Sequence, residues 1–416
     1  MTDFPESELA AAAQQAFDLC AGTPGLVVGV ATGADTWFGS YGQADSDTSM
    51  TPNTHLRIGS VTKSFTASIL LQFVEAGTIG LDDRIATYLP DVDDGLTVRM
   101  LATMRSGIAD YTADPALVAQ IIADPTAPRT SAEVIAAALA APRLFAPDAQ
   151  FAYSNTNYAI LGRILAHVSG TPFATLLADR VLTPLGLDET WWPGDSSSMP
   201  DPFARGYTLV FPGATPESPV DTTGFNPAWA GTAGALVSTA KDLLVFARAL
   251  GTGALLSAET HAMRIASLAE APALGPGVDY GIGLMRISGW IGHSGHIPGY
   301  RAACYYHPQA DAAVVVLTAG DIVAGNCPEG SASASIATDA ACMSPTARVF
   351  DAVSLVLGHP STTPTACVTA DRGSPGAGPR SISRSAPWLA PHPGRFPAPD
   401  QRRPWPAGRM RPGSLS

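Results

Sequence analysis

The 416-residue chain carries 36 acidic against 24 basic side chains, a formal net charge of −12, and 46% of its residues are apolar. That apolar content is ample for a globular core, and the acidic balance argues against a nucleic-acid enzyme. No run of eighteen apolar residues occurs, so no transmembrane span is expected.

In chain order, the first residues read Met1-Thr2-Asp3-Phe4-Pro5-Glu6-Ser7-Glu8, acidic and without an apolar leader, so no signal peptide is visible and localisation stays open. Residues 5–21 read as a helix with an alanine run and Phe17 and Leu19. Residues 26–31 and 36–38 read as two strands of a hairpin. An apolar helical pattern follows at Phe65, Ile69, Leu70, Phe73 and Val74. After Asp82 the strand signals fade, and helices and loops rich in Pro, Asp and Gly run to about Gly231. Among them a helix buries Ile160, Leu161, Ile164, Leu165 and Val168. Strands return at 281–285, 300–306 and 312–317, and a helix is expected over 347–357. Two early and three late strands make an α+β fold with one five-stranded antiparallel sheet. The first and last helices lie together on one of its faces.

The five cysteines (Cys20, Cys304, Cys327, Cys342, Cys367) are too few and too scattered for a disulfide framework. Cys327 and Cys342 bracket a Ser/Ala-rich loop and can pair under oxidising conditions, but buried or free thiols are expected. From Asp371 to Ser416 there are eight arginines against two aspartates, with ten of the 36 prolines. Such a stretch cannot bury enough surface to offset its ordering entropy, so a disordered tail is expected.

The chemistry starts from the lysines, of which the chain has only two. One stands in Gly59-Ser60-Val61-Thr62-Lys63-Ser64-Phe65, three residues after a serine at the head of the apolar helix. Positions i and i+3 of a helix share a face, about 5–6 Å apart at Cβ. A serine hydroxyl needs a neighbouring base to become a nucleophile, and a desolvated lysine amine can serve near neutral pH. The pattern recurs at Ser238-Thr239-Ala240-Lys241, where Ser238 reads as the cap of a helix through Asp242, Leu243, Leu244 and Phe246. Ser60 alone could likewise be a cap, so companions must decide. They come in order: Tyr153-Ser154-Asn155 ahead of a helix, then His293-Ser294-Gly295-His296 between stretches that read as strands.

Ser-x-x-Lys, a Tyr- or Ser-led triplet ending in Asn, and a Lys- or His-led triplet ending in Gly are the signatures of penicillin-recognising serine enzymes. The chain therefore resembles the class C β-lactamase and DD-peptidase superfamily, and His293 in place of lysine resembles its D-alanyl-D-alanine carboxypeptidase branch. Leu96 to Leu101 with Ser106-Gly107-Ile108, Ala233 to Thr239, and Tyr280 to Gly283 extend the likeness to roughly residues 8–358. The resemblance implies a sheet lobe, 1–80 with 232–358, interrupted by a mostly helical lobe, 81–231, with the site between them and a tail at 359–416.

In the implied mechanism Ser60 attacks a carbonyl and forms an acyl-enzyme. Lys63 or Tyr153 is the base, the two titrating as a coupled pair. Asn155 donates its amide to a substrate carbonyl. By resemblance the oxyanion sits between the backbone N–H groups of Ser60 and His296, with Ser294 and Gly295 lining the substrate. His293, when protonated, binds a substrate carboxylate, and only in part at neutral pH. His293 and His296, at odd spacing on a strand, point to opposite faces, so no shared metal is expected, and no cofactor is implied. Gly292 to His296 approaches a Gly-x-Ser-x-Gly elbow, but His296 takes the last glycine's place and the alternating strand–helix order is missing.

The expected partner is a small molecule or peptide with a carbonyl acyl donor, and oligomeric state is not readable. Carboxypeptidase-like hydrolysis is the first expectation. An esterase or β-lactamase, or a sensor that acylates once, are the alternatives.

Overall fold

The computed structural model describes residues 4–92, 95–327 and 335–361. The tail expected over 359–416 lies, from residue 362 on, outside the described residues, as does Cys367. A nine-stranded antiparallel sheet is built from β1 Gly25–Thr32, β2 Asp35–Asp45, β3 Thr48–Ser49, β4 Ala269–Glu270, β5 Val278–Tyr280, β6 Met285–Ile287, β7 Trp290–Ile297, β8 Tyr300–His307 and β9 Ala312–Thr318. Across the sheet they run β3-β2-β1-β9-β8-β7-β6-β5-β4.

The fold class is α+β, as expected, but the sheet is larger than five strands. Short strands extend both edges, and β7 is a long strand whose alternation is interrupted by Gly292 and Gly295, residues depleted in strands. The expected strand at 281–285 is mostly the turn joining β5 to β6, with Gly283 at φ +59°. The central strands are continuous apolar runs because both of their faces are covered: every residue of β9 is buried, as are Gly25 to Val30 of β1. Their register runs from Leu26 opposite Thr318 to Thr32 opposite Ala312.

The helices that position the site are α1 Glu6–Asp18, α2 Thr62–Glu75, α3 Val98–Ala102, α4 Asn155–Ser169, α5 Gly231–Gly234, α6 Ala240–Thr252, α7 Ala258–Ala266 and α8 Pro345–Val356. As expected, α1 packs on α8, which lies on β8 and β9. Ser344 caps α8 by accepting from the Ala347 N–H, and Pro345 supplies the pre-set φ of its first turn. On β1, β8 and β9 also packs α6, and Phe246 from it stacks on Phe65 of α2 with ring centroids 3.6 Å apart. Most of α2 is buried, its polar residues included, and these are satisfied by hydrogen bonds such as Ser64 to the Gly283 carbonyl and Thr66 to the Thr232 carbonyl. It lies against α4 and α5 as well as the sheet.

Cys327 and Cys342 are joined in a disulfide, contrary to the expectation of free thiols. Fifteen residues separate them, a short loop whose ends the pairing beside Val323–Asn326 and Ser335–Ala341 brings together. Cys20 and Cys304 are buried thiols, and burial pushes both well above the usual thiol range. No single helix among the described residues is long and apolar enough to cross a membrane.

Candidate active site

The site begins where Leu56–Arg57 pairs with Val237–Ser238, fixing the chain before it winds through the 3-10 turn Gly59–Val61 into α2. Gly59 has φ +50°, and a Cβ there would lie 2.6 Å from the His296 nitrogen. Gly295 meets the same turn from β7: a Cβ on it would lie 1.9 Å from the Ile58 carbonyl oxygen and 3.2 Å from the Ser60 nitrogen. Only glycine allows strand and turn to approach backbone to backbone this closely. The Ser60 and His296 amides become neighbours as a result.

Ser60 is not a helix cap: it lies inside the 3-10 turn, and the cap positions of that turn and of α2 are Ile58 and Val61, neither of which makes a side-chain capping bond. Its hydroxyl instead lies 2.9 Å from the Lys63 amine. Lys63 is fully buried, and its Nζ also donates to Asn155 Oδ1 at 2.7 Å and to the Ala233 carbonyl at 2.8 Å. Burial pulls the amine from 10.5 down to about 7, partly opposed by the Asp110 carboxylate. Of the three acceptors, only Ser60 has a proton to return. When Lys63 is neutral, its two N–H groups satisfy Asn155 and Ala233, and the lone pair faces the Ser60 hydroxyl.

Tyr153-Ser154-Asn155 leads into α4, and Ser154 makes no capping bond. The segment pins a loop instead. Thr156 donates to the Ala109 carbonyl at 2.8 Å and accepts from the Tyr111 N–H at 3.1 Å, while Ser106 donates to Asn157 at 2.6 Å. Those bonds hold Asp110, whose Oδ2 accepts from Asn155 Nδ2 at 2.8 Å and whose Oδ1 accepts from the Thr112 N–H at 3.0 Å. Asn155 therefore turns its amide nitrogen toward Asp110, where a bond to a substrate carbonyl was expected. The Tyr153 ring stands 4.8 Å from Lys63 Nζ, and burial holds its phenol well above the usual range, opposed by a hydrogen bond with Ser60. A phenolate base is disfavoured, and Tyr153 enters the site as a neutral O–H.

His293 is buried, with its ring 6.4 Å from that of Tyr153 and 5.7 Å from that of Tyr280. Its Nδ1 lies 2.5 Å from the Ser294 carbonyl, which can only accept, so Nδ1 carries the hydrogen and Nε2 accepts from the Tyr280 hydroxyl at 3.3 Å. Burial, with the nearby Lys63 and Arg264 charges, drives its pKa down to about 3. These surroundings disfavour the protonated His293 that was expected to hold a carboxylate. Ser294 and His296 point to the exposed face of β7, opposite His293 and Gly295. His296 Nε2 lies 2.9 Å from Asp321 Oδ2.

The second Ser-x-x-Lys does not assemble. Ser238 is buried against Thr190 Oγ1 at 2.9 Å, Lys241 is exposed, and the cap of α6 is Thr239, one residue later than expected. Two participants had no motif to announce them, the Ala233 carbonyl and Asp110. Both adjoin segments already noted as family-like, Ala233 to Thr239 and Ser106-Gly107-Ile108. Among the described residues no group of three His, Cys, Asp or Glu is arranged to hold a metal. A small cleft, open to solvent, lies beside the end of β7, lined by Arg57, Phe211, Phe225, Trp229, Ile297 and Pro298. Trp229 meets Tyr111, the neighbour of Asp110, edge to face at 6.5 Å.

The family model described as Beta-lactamase matches residues 12–327. Among solved structures, a D-stereospecific amidohydrolase from Streptomyces sp. superposes with a TM-score of 0.69 at 32% identity, covering 75% of this chain and 94% of that one. The D-amino acid amidase from Ochrobactrum anthropi SV3, complexed with L-phenylalanine amide, superposes with a TM-score of 0.66 at 29% identity, covering 76% and 92%. Penicillin-binding protein 4 of Amycolatopsis lactamdurans is 31% identical over 211 residues, 48% of this chain and 51% of that protein. The chain spans about half the length of the curated relatives it matches.

Proposed function

The chain belongs to the beta-lactamase family, and from that premise we propose that it is a serine hydrolase that opens an amide bond through an acyl-enzyme on Ser60. The observation that carries the reading is the set of three acceptors around the buried Lys63 amine. Neutral Lys63 takes the Ser60 proton as Oγ bonds to the substrate carbonyl carbon. The oxyanion that forms is received by the Ser60 and His296 N–H groups. Tyr153 gives its phenolic proton to the leaving nitrogen and regains one from the Lys63 ammonium. Water then attacks the acyl-enzyme by the same steps, restoring Ser60 and releasing the acid.

For the substrate class we infer an amide next to a D-configured amino acid, such as a D-amino-acid amide or a short peptide with a D-residue at its amino end. Two similar structures bear the names of D-specific amide hydrolases. The neutral His293 supplies no cation for a substrate carboxylate. A second reading, D-alanyl-D-alanine carboxypeptidase-like hydrolysis, finds no free cation in Arg57, which is buried and donates to the Ser197, Thr223 and Phe225 carbonyls.

The test is turnover of D-phenylalanine amide, L-phenylalanine amide and an acyl-D-alanyl-D-alanine by wild type and Ser60→Ala. Hydrolysis of the first alone, lost in the variant, supports the amidase reading, and hydrolysis of the third alone moves the assignment to carboxypeptidase. A single equivalent of product per chain would make the protein a sensor. Activity that survives Ser60→Ala would sink the mechanism.

A further inference from the structure

We infer that Asp110 is a positioning residue that acts through Asn155 to set both the direction of the Asn155 amide and the basicity of Lys63. Its bearing on turnover rests on the reading of Ser60 and Lys63 above, but its effect on Lys63 does not.

The hydrogen bonds form a line with one polarity. Lys63 donates to Asn155 Oδ1, and Asn155 Nδ2 donates to Asp110 Oδ2. The Asn155 amide has no choice of orientation, because Lys63 needs an acceptor on one side and a carboxylate needs a donor on the other. Burial pushes the Asp110 carboxyl above its usual range, opposed by its bonds with Thr112 and Asn155 and by Lys63. Both its oxygens accept from N–H groups and neither is placed to donate, the pattern of an ionised carboxylate. The loop that carries it is held by Thr156 and Ser106, so the position is built and does not depend on Asp110 alone.

Among the described residues, the other groups around Lys63 offer no second anion. Tyr153 and Tyr158 present rings 4.8 and 5.9 Å from Nζ, and burial keeps both as neutral phenols. His293 faces the site from β7 as a neutral ring. Arg264, from α7, bonds to the Ser64 carbonyl next to Lys63 and adds positive charge to the surroundings. Asp110 is the charge that offsets burial at Lys63.

The rival reading is structural: Asp110 also caps the short 3-10 helix Tyr111–Ala113 through Oδ1. Asp110→Asn separates the two. The new Oδ1 still caps, but the new Nδ2 faces Asn155 Nδ2. Asn155 must then either leave that contact unmade or turn its own nitrogen toward Lys63. Either result, with the lost charge, disfavours the ammonium.

The measurement is the titration of Lys63 itself, by carbon NMR of protein labelled at lysine Cε. The chain has only two lysines, and Lys241→Arg removes the other signal. Asp110→Asn is expected to lower the Lys63 midpoint by about one pH unit or more, and the acid limb of kcat/KM should move down with it. A plateau rate reduced at least about tenfold would report the misdirected amide. An unmoved midpoint in folded Asp110→Asn protein overturns the inference and leaves Asp110 as a cap. Should that variant not fold, Asp110→Ser keeps a capping oxygen and faces the same criterion. The base reading fails separately, if the wild-type midpoint lies near 10.5.

Discussion

Gly295→Ala should disable the site while leaving most of the fold in place. The added Cβ would lie 1.9 Å from the Ile58 carbonyl oxygen, whereas an ordinary carbon–oxygen contact needs more than about 3 Å. Strand β7 and the Ser60 turn must therefore part by roughly 1 Å, and neither can yield by rotating a side chain, since both contacts are backbone. Overpacking of this kind costs about 1–3 kcal/mol of stability. The catalytic loss is larger, because the same displacement separates the Ser60 and His296 amides. Losing one oxyanion donor costs about 10²–10³ in kcat. Gly224→Ala is the control, because a Cβ there meets nothing within 4 Å. The assay is kcat on D-phenylalanine amide, with circular dichroism and thermal melts to confirm folding. A folded Gly295→Ala protein within about threefold of wild type would refute the argument that Gly295 shapes the oxyanion site.

Ser238→Ala should leave kinetics nearly unchanged and cost about 1 kcal/mol of stability, because Ser238 is buried against Thr190 and far in role from the nucleophile. A loss of turnover matching that of Ser60→Ala would reverse the choice between the two Ser-x-x-Lys pairs. The pH profile has a fixed sign. Lys63 works as the free amine, so kcat/KM should rise with pH through about 7, where burial has brought its midpoint, and fall below it. His293, lowered to about 3, should add no limb above pH 5. A limb near 6.5 abolished by His293→Gln would show that this imidazole titrates in the working range.

The residues of the proposed site were readable because they sit in dense motifs tied to secondary structure. Ser60 and Lys63 open a helix, Tyr153 and Asn155 open another, and His293 to His296 lie on one strand. Asp110 was not readable: it is a single carboxylate in a loop, and its role depends on Thr156 and Asn157 pinning that loop from a distant helix. The charge state of His293 was equally hidden, since it follows from burial and from cations that only the fold brings close. The sheet's extent was underestimated because strand β7 owes its form to pairing with β8 and not to the propensities of Gly292 and Gly295. The Cys327–Cys342 bridge depended on where two short strands run, which spacing alone does not give.

The pairing of β1 with β9 joins an early and a late segment of the described chain, and the groups around Lys63 arrive from residues 60, 155 and 233. Contacts between remote segments carry a large loop-closure entropy and form slowly. During refolding, helix α2 can form early and hold Ser60 and Lys63 in register without either being reactive. The desolvation that frees the lysine, and the amides that meet the oxyanion, come only once the last strands have docked. Recovery of turnover would thus trail recovery of helix signal, and a partly folded chain would carry no exposed nucleophile to acylate its neighbours.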